Sequence, residues 1–121
     1  MTAIRKERLA HAYLFHGQSG VGKDGLAVRL AMHLMCKKGS DWGCGTCSSC
    51  EAILHHTHPQ FHCIMPLPKA LSDGKGDTAD RVQKIRAAHC SRPYEKVRFE
   101  SAATAPVITI NQVREIRKAT R

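Results

Sequence analysis

The sequence predicts an α/β domain: a parallel sheet with flanking helices, of the phosphate-loop nucleotide-binding kind, with a four-cysteine metal module inserted after its first helix. Three observations carry this. The apolar run Ala12-Tyr13-Leu14-Phe15-His16 leads into the glycine-rich segment Gly17-Gln18-Ser19-Gly20-Val21-Gly22-Lys23-Asp24, which opens a helix-patterned stretch. That stretch ends in four cysteines, Cys36, Cys44, Cys47 and Cys50. Two more apolar runs, at 61–65 and 106–110, supply further strands.

Taken in order, residues 3–10 are polar and basic and read as the end of a helix. Residues 12–16 read as a buried parallel strand, because the run is continuously apolar and stops at a glycine. From Lys23 the apolar positions Leu26, Ala27, Leu30, Ala31, Leu34 and Met35 recur at three- and four-residue steps, the period of a helix. Lys37 and Lys38 complement its C-terminal dipole, and Gly39 stops it. Residues 40–50 are a cysteine-rich loop. Residues 50–54 form a short second helix, broken at His58-Pro59 because proline disfavours helix at the residue before it. Residues 61–65 are a second strand, closed by Pro66 and Pro68.

Residues 69–95 carry the weakest pattern. Residues 72–77 have the composition of a flexible loop, and 79–88 have modest helical character, with Val82 and Ile85 on one side. No catalytic role is assigned there. Residues 106–110 are a third strand. Thr109-Ile110-Asn111-Gln112 then fits a capping box, opening an amphipathic helix with Val113 and Ile116 on one face and the basic Arg114, Arg117, Lys118 and Arg121 around them. A helix that reaches Arg121 with no cap predicts an incomplete domain, 1–121 being the N-terminal part of a longer one.

Bulk properties narrow the function classes. The chain has 121 residues, one domain at most, and 42% of them are hydrophobic, enough for a packed core that a metal staple would reinforce. A net charge of +9 favours polyanionic partners, whether nucleic acid, an acidic protein or nucleotide phosphates. With 5% aromatic residues, base stacking does not dominate any nucleic-acid contact. The N-terminus has no apolar signal segment and no run is long enough to span a membrane. Six cysteines could mean secreted disulfides, but four cluster at metal-ligand spacing, so the expectation is a cytoplasmic protein with reduced thiols.

The phosphate-loop pattern is G-x-x-x-x-G-K-[ST] between a strand and a helix. Gly17, Gly22 and Lys23 match, with Gly20 between them. The glycines let backbone N–H groups approach phosphate oxygens, and the helix N-terminus adds partial positive charge. Lys23 would bridge the outer phosphates. Asp24 breaks the pattern, because a hydroxyl there would serve Mg²⁺ whereas a carboxylate repels the phosphates. No apolar run ends in paired acids, and Asp73, Asp77 and Asp80 lie in the polar stretch. The nucleotide-binding set Gly17, Gly20, Gly22, Lys23 and Asp24 is therefore degenerate. Tight ATP–Mg²⁺ binding is not expected, hydrolysis still less, and no catalytic residue is assigned.

Cys44-Gly45-Thr46-Cys47 is a metal-knuckle sequence. Cys50 lies one turn beyond Cys47, and Cys36 at the end of the preceding helix can close a tetrahedron. Four thiolates with no open position point to a structural Zn²⁺. The alternatives are plain reduced cysteines and, further off, a redox pair at Cys44 and Cys47. Cys63 and Cys90 read as ordinary cysteines, Cys63 buried in its strand. His55, His56, His58 and His62 read as helix-end and loop histidines rather than ligands.

Residues 8–15, the loop 17–23, the spacing Cys36-x7-Cys44-x2-Cys47-x2-Cys50 and His58-Pro59 together resemble the bacterial clamp-loader subunits of DNA polymerase III. Ile108-x-Ile110-x3-Arg114-Glu115-Ile116 looks like the family's next strand and helix. The resemblance covers 8–66 and 106–118, leaving 69–105 as an insertion. It implies a P-loop NTPase-like (AAA+) domain with an inserted zinc module at 36–50, acting in a hetero-pentamer that loads the sliding clamp on primed DNA. The gamma/tau branch of that family is the ATP-hydrolysing motor, and the delta-prime branch is a stator-like partner with a degenerate loop. Asp24 points to the delta-prime branch. The intact glycines and Lys23 keep the gamma/tau motor as the alternative. The net charge keeps an unrelated zinc-bearing nucleic-acid-binding module as a third reading.

Overall fold

The computed structural model describes residues 8–72, 77–95 and 106–120. Five helices lie among them: α1 (Lys23–Met35), α2 (Ser48–Leu54), α3 (Lys69–Ser72), α4 (Asp77–Ser91) and α5 (Ile110–Ala119). α1 packs on α2, α2 on α4, and α4 on α3.

α1 starts where predicted because Gly22, at φ 90°, takes the left-handed conformation that a side chain resists. Asp24 in its first turn complements the helix dipole. The helix buries Gly25, Val28 and Met32, whereas Leu26 and Leu34 of the predicted apolar stripe are exposed. Both sets share the helical period, but the neighbours present, α2 and the cysteine loop, lie against the Gly25–Val28–Met32 side. α2 begins at Cys47, whose sulfur accepts the Cys50 N–H at 3.4 Å in the manner of an N-cap. It ends at His55 and His56, the latter at φ 53°. α4 runs longer than the 79–88 expected, and Ser91 Oγ at its end donates to Leu54 O at 2.8 Å, tying it to the end of α2.

Two apolar clusters result. Val28, Met32, Cys47, Cys50 and Ile53 join α1, α2 and the cysteine loop, with Phe61 against their edge. Met65, Leu67, Leu71 and Val82 join the 61–67 segment to α3 and α4. Ile53 and Cys90 are fully buried.

The three predicted strands are not formed among the described residues. Residues 12–16 and 61–65 carry no ladder, and the described pairing is one antiparallel bridge between Leu67 and Val107. Leu67 N donates to Val107 O at 3.1 Å and Val107 N to Leu67 O at 3.0 Å. The physical reason is visible at Leu14, which is 87% exposed: a parallel strand is held by neighbours on both edges and layers on both faces, and nothing described covers this one. At 106–110, Val107 makes the bridge, and Ile110 already belongs to α5 rather than to a strand. The expected flexible loop at 72–77 and the basic Arg121 lie largely outside the described residues.

The capping box of α5 is half made. Gln112 Oε1 accepts from Thr109 N at 3.0 Å, while Thr109 Oγ1 turns towards the N3 amide without reaching hydrogen-bonding geometry. Gln112 is buried, and its Nε2 donates to Met65 O at 3.3 Å, so one side chain both opens α5 and fastens it to the 61–67 segment. Replacing it by alanine leaves Met65 O without its donor and removes the cap. Gln112→Ala is expected to cost about 1–2 kcal/mol in denaturant unfolding. A change below a few tenths would show that α5 is held by other means.

Candidate functional site: a four-thiol centre beside a phosphate loop

The four-thiol centre is assembled from two helix ends and a turn. Cys36 is the C-cap of α1, Cys44 lies in the loop, Cys47 is the N-cap of α2 and Cys50 is in its first turn. The four sulfur atoms lie within 4.8 Å of one another. A tetrahedral Zn–S₄ site, with Zn–S near ~2.3 Å, needs sulfurs about 3.8 Å apart, so small adjustments close the site. No histidine joins this group among the described residues.

The loop geometry follows from local bonds. Gly43, at φ 78°, lies so close to α1 that a methyl there would meet Met32 Cβ at 2.5 Å. Trp42, at φ 64°, donates its N–H to His33 Nδ1 at 3.0 Å. Lys37 Nζ donates to Ser48 Oγ at 3.0 Å, and Lys38 Nζ to Thr46 Oγ1 at 3.2 Å, bracing the turn from outside.

The sulfurs are already solvated by the chain. Cys47 N–H donates to Cys44 Sγ at 3.3 Å, and the Thr46 hydroxyl donates to the same sulfur at 3.6 Å. The Thr46 backbone and hydroxyl, with help from Cys47, bring the Cys44 thiol down to about 6. The Cys50 N–H holds Cys47 below the ordinary thiol value. Cys50 is pushed up to about 12, first by burial and then by the neighbouring sulfurs. The chain by itself thus stabilises some of the negative charge and resists the rest, and a dication in the middle would relieve that resistance. The donor set fits a thiophilic metal ion.

The phosphate loop lies at the other end of α1. Lys23 Nζ folds back and donates to Gly17 O at 3.1 Å and to Gln18 O at 2.6 Å. Gly22 O accepts the first helical bond, from Leu26 N at 3.0 Å. Asp24 Oδ2 lies 3.7 Å from His89 Nε2 on α4. The Tyr94 ring rests on Gly22 and Gly25. A cleft of about 500 Å³ runs between the loop and the end of α4, lined by Gly22, Lys23, Asp24, Met65, His89 and Tyr94. Gly20, Gly22, Lys23 and Asp24 line this cleft, and Gly17 meets it through the Lys23 Nζ bond. His89 and Tyr94 were missed, since they stand in the stretch with no recognisable motif.

Among the remaining thiols and histidines, Cys63, Cys90, His56 and His58 have structural partners. Cys63 is half-buried rather than buried; the Cys90 thiol against its sulfur, with Arg86 nearby, holds Cys63 below the ordinary thiol value, while the contact with Cys63 and burial raise Cys90. His58 Nδ1 accepts from Gln60 N at 3.2 Å. His56 is a clamp. Its Nε2 accepts from Cys63 N at 3.0 Å, so Nδ1 carries the proton and donates to Gln83 Oε1 at 3.2 Å, while Gln83 Nε2 returns a bond to His56 O at 2.7 Å. Burial lowers the His56 pKa below its ordinary value. A second proton would remove the acceptor that Cys63 N–H uses. With the folded pKa depressed, the unfolded chain binds more protons, so this contribution is complete above the unfolded pKa of about 6.5 and is lost as pH falls below it. Wild-type stability is therefore expected to fall more steeply than that of His56→Ala between pH 7 and 5, measured by urea unfolding. Parallel curves would refute the clamp.

The family model described as DNA polymerase III, delta subunit, matches residues 1–121. Subunit delta' of DNA polymerase III from Bacillus subtilis is 41% identical over 64 residues, covering 53% of this chain and 20% of that protein. The delta' subunit from Haemophilus influenzae is 32% identical over 115 residues, covering 86% of this chain and 34% of that protein. The tau subunit from Escherichia coli is 34% identical over 82 residues, covering 67% of this chain and 12% of that protein. The chain thus spans from 20% to 34% of the length of those delta' relatives. No solved structure matches. No described helix is long and apolar enough to cross a membrane.

Proposed function

Because this chain belongs to the DNA polymerase III delta-subunit family, we propose that it works as a delta-prime-like subunit of a clamp loader, supporting the loading of a sliding clamp on primed DNA without hydrolysing ATP itself. The observation that carries the reading is Asp24, a carboxylate where a hydrolysing loop needs a hydroxyl. Its partners are other clamp-loader subunits in a hetero-pentamer, and clamp and DNA are met through that complex in the cytoplasm. In this reading residues 12–16 and 61–65 join a parallel AAA+ sheet.

Cys36, Cys44, Cys47 and Cys50 would hold one Zn²⁺, whose role is to fix the end of α1 against the start of α2. The remaining chemistry belongs to the loop. Lys23 and the glycine amides offer positive charge, and Asp24 cancels part of it. The site is read as scaffold, and its nucleotide-binding residues as Gly17, Gly20, Gly22, Lys23 and Asp24.

The experiment is ATP turnover and clamp loading by the full-length protein, alone and with a motor subunit. Expected are negligible turnover alone and loading that needs both subunits. Robust turnover by the wild type alone, lost in Lys23→Ala, would instead support the motor reading that the tau likeness keeps open.

A further inference from the structure

The contacts between α4 and the phosphate loop have no part in the reading above. Phosphates bound by such a loop rest on the glycine amides and on the first turn of the helix that follows. Here the Tyr94 ring lies against part of that turn, at Gly22 and Gly25. A methyl on Gly22 would stand 3.3 Å from Tyr94 Cε1, and one on Gly25 would overlap the Tyr94 ring. Asp24, which opens the helix, lies 3.7 Å from His89 on α4. His89 Nδ1 is buried with no hydrogen-bond partner among the described residues, and its Nε2 is the atom that faces Asp24. Lys23 is turned inward onto the carbonyls of Gly17 and Gln18.

We propose that the end of α4 is a built-in cover for the phosphate loop: Tyr94 lies across the first turn of α1, His89 engages Asp24, and the chain's own residues keep nucleotide phosphates off the loop. The ring's seat on Gly22 and Gly25 carries the cover, and the His89–Asp24 contact lies beside it. Gly25 is required for it, because any side chain there displaces the tyrosine. The tyrosine is 70% exposed, so its truncation removes the cover without opening the core. This inference rests on the nucleotide site's being degenerate but not on assembly into a clamp loader.

The test is equilibrium binding of ATP, with and without Mg²⁺, to the full chain. Four proteins are compared: wild type, Asp24→Thr, Asp24→Thr with Tyr94→Ala, and Asp24→Thr with Gly25→Ala. Asp24→Thr restores the hydroxyl but leaves the ring in place. It is expected to bind at least tenfold more weakly than either double variant, and the two double variants are expected to agree because both clear the same ring. The proposal is overturned if Asp24→Thr alone binds as tightly as the doubles, or if neither double binds ATP. A failure to join a motor subunit would defeat the clamp-loader reading and leave this result unchanged.

Discussion

Removing the metal from the native protein is expected to loosen the loop between Cys36 and Cys47 and to lower stability by several kcal/mol. The purified protein should carry close to one zinc per chain, and Cys47→Ser should lose it. Cys47 is at once a ligand in the proposed centre, the N-cap of α2 and a member of the apolar cluster with Val28, Met32 and Ile53. Metal-binding free energy in a site of this kind is folding free energy, about 10–16 kcal/mol in isolated zinc-finger peptides. The cost here falls short of that range because Met32 and Ile53 still pack when the metal has gone. Thermal unfolding with and without a chelator reads the effect, and well under one zinc per chain with unchanged stability in Cys47→Ser would disprove the centre.

Gly43→Ala is expected to be nearly as damaging, by about 2–4 kcal/mol, although it adds a single methyl. Two penalties coincide. The residue sits at φ 78°, where an L side chain costs roughly 1–2 kcal/mol. The methyl would also stand 2.5 Å from Met32 Cβ and 3.2 Å from the Met32 carbonyl carbon, and helix backbone cannot step aside as a flexible chain end can. Overpacking of that kind costs about 1–3 kcal/mol. Gly39→Ala is the comparison. At φ 63° with nothing within 4 Å of the added methyl, it should cost the backbone share alone. Equal losses in urea unfolding would show that the contact with Met32 is not what constrains Gly43.

What the sequence made legible is what local chemistry dictates. The glycines and Lys23 mark a turn into a helix wherever they occur, and α1 begins at Lys23. Cysteines one helical turn apart, beside a glycine knuckle, bring their sulfurs together with little help from the rest of the chain. Gln112, three residues after Thr109, gives half a cap by the same local logic. What stayed illegible depends on long-range partners. The helical period places Leu26 and Leu34 on an apolar face but cannot say whether anything stands opposite, and in the described structure they are exposed. The run at 12–16 has a strand's composition, yet hydrogen bonds to neighbours make a strand, and its side chains carry no record of them. Tyr94 and His89 reach the loop only because α4 leans across it, and no spacing rule connects residue 94 with residue 25.

The paired amides of Leu67 and Val107 bear on how the chain accommodates change. Two residues that exchange both backbone bonds hold their α-carbons about 5.5 Å apart, so the chain leaves and re-enters this point side by side. Everything between is a closed loop with a fixed base. Lengthening a loop whose ends are already joined costs little, roughly 0.6 kcal/mol per doubling. Residues added to that loop outside α3 and α4, which pack on α2 and on the 61–67 segment, leave its base as it is, and evolution has there a place to write without disturbing the text around it.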